Sequence, residues 1–183
     1  MTAGGRVAGT LAALALAAGC SSDQHRDIAA ARRFAAFPLY WVGSRFETWD
    51  LAAIQGLDAP HWSVSFIYGE CTPAGGEQPS CAPPFEIQVS PLCRHLEVVA
   101  SDPVWGTRRV RGAPVGRSPD GAPVLLSRRT QVKVYRGEGS DPGLPIRVLR
   151  ALRSINRAPP SIGAEGRIPG PAPGVLAGTR SCR

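Results

Sequence analysis

Short segments in which apolar and polar residues alternate recur along this chain, and glycine or proline lies close to the ends of most of them. The clearest are Ser63–Tyr68, Phe85–Val89 and Gln131–Tyr135. A period of two residues is typical of a half-buried β-strand. The 21 Gly and 18 Pro among 183 residues supply turns between such strands. The pattern therefore predicts a mainly antiparallel sheet.

Turn signals predict how several strands pair. The Pro/Gly-rich loop 72–80 joins two of the alternating segments as a hairpin, and Ser118-Pro119-Asp120-Gly121 is a β-turn sequence. On either side of this β-turn, segments 110–115 and 124–127 are expected to pair. Two further short strands are predicted, over residues 39–42 and 104–110, whereas segment 46–54 fits a helix and a strand equally well.

One C-terminal helix is expected after the strands. Asp141-Pro142 offers an N-cap and a first-turn proline, so the helix should begin between Pro142 and Pro145 and continue to Asn156. Its apolar residues (Val148, Leu149, Leu152 and Ile155) recur at helical spacing, and four arginines, Arg147, Arg150, Arg153 and Arg157, occupy the other side. This arginine face is either a solvated surface or a contact with an anionic envelope surface such as phospholipid or wall polymer.

The predicted fold class is α+β: a single domain over residues 38–157, with a mainly antiparallel sheet and the C-terminal helix packed on it. Residues 158–183 hold five Pro and five Gly, so they are expected to form an irregular tail that only Cys182 could tie down.

The N-terminus reads as an export signal. Val7–Ala18 is an uncharged apolar stretch after a short basic start, and about 12 residues of helix span only about 18 Å, against roughly 30 Å of hydrocarbon. Leu16-Ala17-Ala18-Gly19-Cys20 then resembles the lipobox of bacterial lipoproteins. The resemblance implies that residues 1–19 are removed and that the Cys20 thiol carries a diacylglyceryl group. The Ala-rich segment within residues 20–37 then predicts a tether or helix that leads away from the membrane. A secreted protein cut nearby is the alternative.

Four cysteines remain in the exported part of the chain, and export favours disulfides over metal ligation. Cys71 and Cys81 flank the loop of the predicted hairpin and are expected to pair, which leaves Cys93 with Cys182. Zinc is the competing interpretation, but the spacing contains no C-x2-4-C pair. No metal and no cofactor is predicted.

Four segments of the body carry a second resemblance: Tyr40-Trp41-x-Gly43, Val64-Ser65-Phe66-Ile67-Tyr68-Gly69-x-Cys71, Cys81-x-Pro83-Pro84 and Pro91-Leu92-Cys93. Together they resemble a set of uncharacterised lipoproteins from high-GC Gram-positive bacteria, over roughly residues 38–157. The resemblance implies an exported α+β lipoprotein and no particular activity.

Catalytic signatures are sparse. The sequence has no G-x-S-x-G elbow and no S-x-x-K motif. A thiol nucleophile would use Cys93 with His95 or His61, and paired carboxylates would come from acidic residues such as Asp50, but no spacing singles out a pair. An envelope hydrolase acting on wall polymer or peptide, with His61, Asp50 or Cys93 involved, is therefore the alternative function.

Aromatic residues gather near the start of the domain. A possible ligand pocket would be lined by Tyr40, Trp41, Trp49, His61 and Trp62. Alternatively, the aromatic residues belong to the core of the sheet and His61 is an ordinary surface or partly buried histidine. Charge is uneven too: residues 20–93 carry 4 Arg against 8 acidic residues, whereas residues 94–157 carry 13 basic residues against 5 acidic ones. No nucleic-acid-binding motif accompanies this basic half. The predicted function is a membrane-anchored extracytoplasmic lipoprotein that acts as a non-catalytic binding or interaction module of the cell envelope.

Overall fold

A computed structural model describes residues 27–59, 62–70, 82–94, 108–158, 162, 166–177 and 179 of the chain. The predicted signal peptide and Cys20 lie outside these residues, as do His61, His95, Cys71, Cys81 and Cys182. The expectations for those positions therefore remain predictions.

Two helices and ten strands make up the described part of the chain. Residues 27–33 are helical (α1). The strands are β1 Tyr40–Trp41, β2 Arg45–Phe46, β3 Trp49–Gln55, β4 Val64–Tyr68, β5 Phe85–Pro91, β6 Arg108–Val110, β7 Ala113–Arg117, β8 Pro123–Leu126, β9 Thr130–Arg136 and β10 Arg153–Ser154. The second helix, α2, spans Leu144–Ala151, and a short 3-10 turn spans Leu92–Arg94.

The main sheet is antiparallel throughout and contains eight strands in the order β2-β3-β4-β5-β9-β8-β7-β6. It consists of two four-stranded meanders that meet where β5 pairs with β9, with Ile87 opposite Val134. Strands β1 and β10 form a separate two-stranded ribbon. The α+β architecture with a helix on an antiparallel sheet is confirmed.

Alternation along the strands places the main core between the sheet and α2. Val64, Phe66 and Tyr68 of β4 are buried on the same side as the alternating apolar residues of β5 (Phe85, Ile87 and Val89), Leu125 of β8, and Val132 and Val134 of β9. Helix α2 covers this side with its buried residues (Leu144, Pro145, Val148 and Leu149). The alternation within the strands makes one side of the sheet apolar, and α2 covers that side.

Both predicted hairpins are present. Strand β4 pairs with β5 from Tyr68 opposite Phe85 to Val64 opposite Val89, and β7 pairs with β8 across the predicted turn. In that turn the Gly121 N–H donates to the Ser118 carbonyl at 2.8 Å, and Gly121 adopts a φ of 82° that suits glycine.

Two predicted segments are divided by turns. Segment 46–54, which fitted either helix or strand, is the end of β2 followed by β3, with Glu47 in the turn at a φ of 52°. The predicted strand 110–115 is wrong as one element, because Arg111 and Gly112 form a turn with positive φ between β6 and β7. Arg111 is the unexpected residue in this turn, because a left-handed backbone conformation favours glycine or asparagine.

Helix α2 is shorter than the periodicity predicted, so the expected stripe of four arginines does not exist. The helix ends at Ala151, and Arg153 lies in β10, which pairs with β1 with Ser154 opposite Tyr40. The Ile155 N–H then donates to the Leu39 carbonyl. Pairing with β1 satisfies backbone groups that another helical turn would have used, so tertiary contact overrides the helical pattern.

The packed unit extends beyond the predicted limits of 38 and 157 at both ends. A tether or helix leading away from the membrane was expected before residue 38; residues 27–33 are helical, but Ala31 of this helix and Phe37 belong to the main core. Asn156 joins the two ends of the domain. Its side-chain oxygen accepts from the Leu39 N–H, and its amide donates to the Phe34 and Phe37 carbonyls at 2.8 Å.

The Pro/Gly-rich tail is also packed. Ile168 is buried in the main core, and its N–H donates to the Arg111 carbonyl. Val175 packs against Leu92 and Leu126 in a small second cluster, formed mostly by side chains on the other side of the sheet. Individual apolar side chains at 168 and 175 hold the tail, although Gly and Pro prevent regular structure.

Cys93 follows Leu92 directly and is disulfide-bonded. Its partner is outside the described residues, because Cys93 is the one cysteine that they contain. Val175 of the tail belongs to the same small apolar cluster as Leu92. The Cys93–Cys182 pairing remains a prediction.

Candidate functional site

The described aromatic residues of the predicted pocket do not line one site. Tyr40 is fully buried, whereas Trp62 is 60% exposed and stacks with the guanidinium of Arg94 at 3.8 Å from its ring. Trp41 and Trp49 are half-buried and pack on the core, Trp49 against Phe85 with ring centroids 5.8 Å apart. Of the four described members of this set, three therefore belong to the core or pack on it: Tyr40, Trp41 and Trp49.

Tyr40 belongs to a buried polar cluster that fastens the fold. Burial raises the pKa of its phenol, although a hydrogen bond with Ser127 and the charge of Arg111 act in the opposite direction. Arg111 donates to the carbonyls of Leu152, at the end of α2, and Gly166, in the tail. The cluster therefore ties helix and tail to the β6–β7 turn, and we assign it a structural role.

The described candidates for hydrolysis lack catalytic geometry. Asp50 is exposed, 3.8 Å from Arg45 at the edge of the sheet, and Cys93 in a disulfide is not a free thiol. Two described carboxyl groups, Asp120 and Asp141, have shifted pKa values, and both values are lowered. A carboxyl group that acts as a general acid needs a raised pKa.

A cavity of about 540 Å³ lies between the start of α2 and the ends of strands β6–β9. This volume falls within the range of small-molecule sites, roughly 300–1,000 Å³. The charged and aromatic residues of its lining are Arg108, Arg117, Arg136, Asp120 and Tyr135. Apolar side chains complete the wall: Val115, Pro123, Val134, Pro142, Pro145 and Ile146. We call this site the arginine cavity.

Strand periodicity explains why three arginines line one cavity. Arg117 lies two residues after Val115, Arg136 two residues after Val134, and Arg108 two residues before Val110. Residues two apart share a side of the sheet, and all three valines face the core. Each arginine is therefore on the helix-facing side near the end of its strand. Pairing of Arg108 with Val115 brings the two neighbouring strands into register.

Backbone carbonyls orient two of these arginines. Arg117 donates from Nη1 to the Gly121 carbonyl at 2.9 Å, and Arg136 donates from Nη1 to the Ser140 carbonyl. A guanidinium has five N–H donors. Each carbonyl contact positions the side chain, and because a backbone carbonyl is uncharged, the contact adds no negative charge. Such an arrangement suits recognition of a planar or tetrahedral anion.

The acidic residue of the cavity, Asp120, is already paired. It accepts hydrogen bonds from Lys133 at 2.6 Å and from Ser118, and these bonds lower its pKa to about 2. Burial lowers the pKa of Lys133, but its contacts with Asp120 and Tyr135 outweigh burial and raise it overall. The described lining thus has three guanidiniums and one carboxylate that Lys133 compensates.

We expect Asp120→Asn to change the acid dependence of stability. Because the folded pKa of Asp120 is about 2 against an ordinary 3.8, its ionised form stabilises the fold above about pH 4, and this contribution is lost as the pH falls towards 2. Melting temperatures measured from pH 2 to pH 5 should show the wild type and Asp120→Asn converging at the acid end. The exposed Asp58→Asn is the matched control, and a constant difference between wild type and Asp120→Asn across the range would contradict the prediction.

The sequence pattern predicted a cationic surface on the helix and gave no indication of these strand ends. Of the predicted arginines, Arg147 pairs with Glu47 at 2.8 Å and with Asp141, whereas Arg150, Arg153 and Arg157 are exposed. The missed signal was the recurrence of valine and arginine two residues apart in three strands. It becomes informative only once the strands are known to be neighbours.

The described residues contain no helix long and apolar enough to cross a membrane, and no group of three or more metal-ligating side chains. No protein-family model, curated protein or solved structure matches this chain.

Proposed function

We propose that this protein is a membrane-anchored extracytoplasmic lipoprotein that acts as a non-catalytic binding module and holds an anionic ligand in the arginine cavity. The lipobox ending at Cys20 supports the anchoring. Two acyl chains give stable attachment, whereas one chain gives only marginal binding.

The observation that carries the binding role is the convergence of Arg108, Arg117 and Arg136 on one cavity. Single surface arginines are common, but three from neighbouring or nearby strands around a ligand-sized cavity form a positively charged concave site. Exposed Arg150, Arg153 and Arg157 add positive charge elsewhere on the surface. In this proposal they orient the anchored domain against the anionic envelope, over a distance of about 8 Å at physiological salt.

The test is saturable binding of small anions to the mature, detergent-solubilised protein. Acetate, sulfate, phosphate and citrate are titrated at constant ionic strength by calorimetry, with chloride as the reference. We expect at least one of them to bind, and Arg136→Gln to weaken it about 10-fold or more, because a charge-assisted hydrogen bond is lost.

Arg150→Gln is the matched control, because Arg150 is an exposed arginine that does not line the cavity. It should leave the affinity unchanged. If no anion in the panel binds saturably, or if both variants weaken binding equally, the proposed function is wrong.

A further inference from the structure

Several turns and chain segments that carry exposed arginines meet at one end of the domain. The turns β6–β7 and β8–β9 lie side by side there, because β7 begins where its antiparallel neighbour β8 ends. The end of β5 joins them, since the Leu92 N–H donates to the Arg129 carbonyl at 2.9 Å. The end of α2 lies there too, because Arg111 of the β6–β7 turn donates to the Leu152 carbonyl.

Helix α1 and the tail reach the same end. The Asn156 amide donates to the carbonyl of Phe34, which directly follows α1. In the tail, Ile168 donates to the Arg111 carbonyl, and Arg167 directly precedes it. We call this end of the domain the basic end. Its exposed arginines are Arg32, Arg33, Arg94, Arg128, Arg129, Arg153, Arg157 and Arg167.

Acidic residues are concentrated at the opposite end. Of the nine acidic residues that the structure describes, only Asp27 and Asp58 lie elsewhere. The other seven belong to the β2–β3 and β7–β8 turns, the starts of β3 and β5, the end of β4 and the connection from β9 to α2: Glu47, Asp50, Glu70, Glu86, Asp120, Glu138 and Asp141. The described part of the chain therefore carries its excess positive charge at the basic end.

An exposed tryptophan also lies at the basic end. Trp62 precedes β4, whose first residue, Val64, pairs with Val89 near the end of β5. Its side chain is 60% exposed, the one large apolar side chain so exposed among the described residues, and Arg94 stacks on its ring at 3.8 Å. Tryptophan is enriched where proteins meet the bilayer interface, because its ring is apolar and its N–H is polar. A polyanion in solution offers no apolar layer for such a ring.

The chain before α1 limits how far the domain can move from an anchored Cys20. Asp27, the first residue of α1, comes seven residues after Cys20. At 3.3–3.6 Å for each residue, a fully extended chain of this length reaches about 25 Å. An anchor at Cys20 therefore keeps α1, and with it the basic end, near the phospholipid headgroups.

Resting on the anchored lipoprotein of the proposed function, we infer that the basic end lies against anionic phospholipid headgroups, with Trp62 in the headgroup layer. The negative surface potential of the bilayer attracts the guanidiniums over about 8 Å at physiological salt. This short range is sufficient because the anchor already holds the domain close to the membrane. The contact orients the anchored domain and does not replace the acyl chains. The arginine cavity, at the opposite end, then faces away from the membrane.

The test uses the mature lipidated protein in vesicles of phosphatidylcholine alone and of equal parts phosphatidylcholine and phosphatidylglycerol. Some of the phosphatidylcholine carries bromine near the headgroup end of its acyl chains, where it quenches tryptophan fluorescence on contact. We expect stronger quenching in the vesicles with phosphatidylglycerol. This difference should disappear in Trp62→Phe, and it should fall as salt is raised, because screening weakens the attraction between the charges.

Arg128→Glu tests the contribution of charge. Arg128 is exposed in the β8–β9 turn. One cationic side chain near an anionic surface shifts the equilibrium about 5-fold, so this variant should lower the ratio of docked to undocked domain about 5-fold or more. Arg45→Glu is the matched control, because Arg45 is exposed and lies beside Asp50 at the opposite end. It should leave the quenching unchanged.

The outcomes separate this inference from the proposed anchoring. If the protein floats with the vesicles but its quenching does not depend on phosphatidylglycerol, the inference is wrong and the anchoring stands. The same holds if the quenching persists in Trp62→Phe, or if the two arginine variants behave alike. A protein that does not float with vesicles contradicts both proposals. Soluble poly(glycerol phosphate) tests a wall polymer: if it abolishes the quenching at equal phosphate concentration, the basic end binds the polymer and the inference is overturned.

Discussion

Replacing Phe85 by alanine is expected to lower the free energy of unfolding by about 3–5 kcal/mol, the usual cost of removing a buried phenylalanine. Phe85 begins β5, is fully buried, and stacks on Tyr68 with ring centroids 4.5 Å apart. The rings of Phe46 and Trp49 pack edge-on against it, each at 5.8 Å. Its removal therefore leaves a cavity lined by three aromatic side chains, which are too large to close over it without leaving favourable rotamers.

Urea denaturation followed by tryptophan fluorescence measures this effect. The midpoint should fall while the slope stays close to that of the wild type. Trp62→Ala is the matched control, because it removes a larger aromatic side chain that is 60% exposed, and it should cost less than about 1 kcal/mol. Equal losses in the two variants would show that Phe85 does not hold the core as described. If Phe85→Ala yields no folded protein, Phe85→Leu, with an expected loss of about 1–2 kcal/mol, takes its place.

Replacing Cys20 by alanine is expected to abolish lipid attachment and release the protein from the membrane. The thiol of Cys20 is the atom that the lipobox resemblance assigns to the diacylglyceryl group, and alanine has no nucleophile to carry it. Because each buried CH2 of an acyl chain contributes about 0.8 kcal/mol, loss of two chains removes nearly all membrane affinity from the mature domain.

Intact-mass measurement of the purified protein together with membrane fractionation tests the anchor. The wild type should begin at a lipid-modified Cys20 and be sensitive to globomycin during processing. Ser21→Ala is the matched control and should behave as the wild type. A Cys20→Ala protein that loses residues 1–19 and still sediments with membranes, or wild-type processing that is insensitive to globomycin, would contradict the proposed anchoring.

Local patterns predicted the strands well because the alternation at Val64, Phe66 and Tyr68 coincides with real pairing to β5. The turn at Ser118–Gly121 was predicted equally well, because proline and glycine there suit the backbone angles of the turn. The end of α2 was not predicted. Leu152 and Ile155 continue the helical spacing, but β1 lies more than 100 residues earlier in the chain and its pairing with β10 overrides that spacing.

The arginine cavity shows the same division at the level of function. The sequence has an excess of positive charge after residue 93, and the cavity arginines all lie in that half of the chain. It could not rank Arg108, Arg117 and Arg136 above the other arginines. Nothing local distinguishes them, because their proximity follows from the order of β6, β7, β8 and β9 in the sheet.

Local sequence was enough to predict the alternating strands, two hairpins, an amphipathic helix start and the basic C-terminal half, and it carries the expectation of a lipid-modified Cys20. Each of these depends on residues within a few positions of one another, where backbone geometry and side-chain periodicity act directly. The junction of β5 with β9, the end of α2, the packing of Ile168 and Val175, and the arginine cavity could be seen only in the folded chain. These features arise from contacts between distant segments, whose free energy depends on surfaces that exist only after the chain has folded.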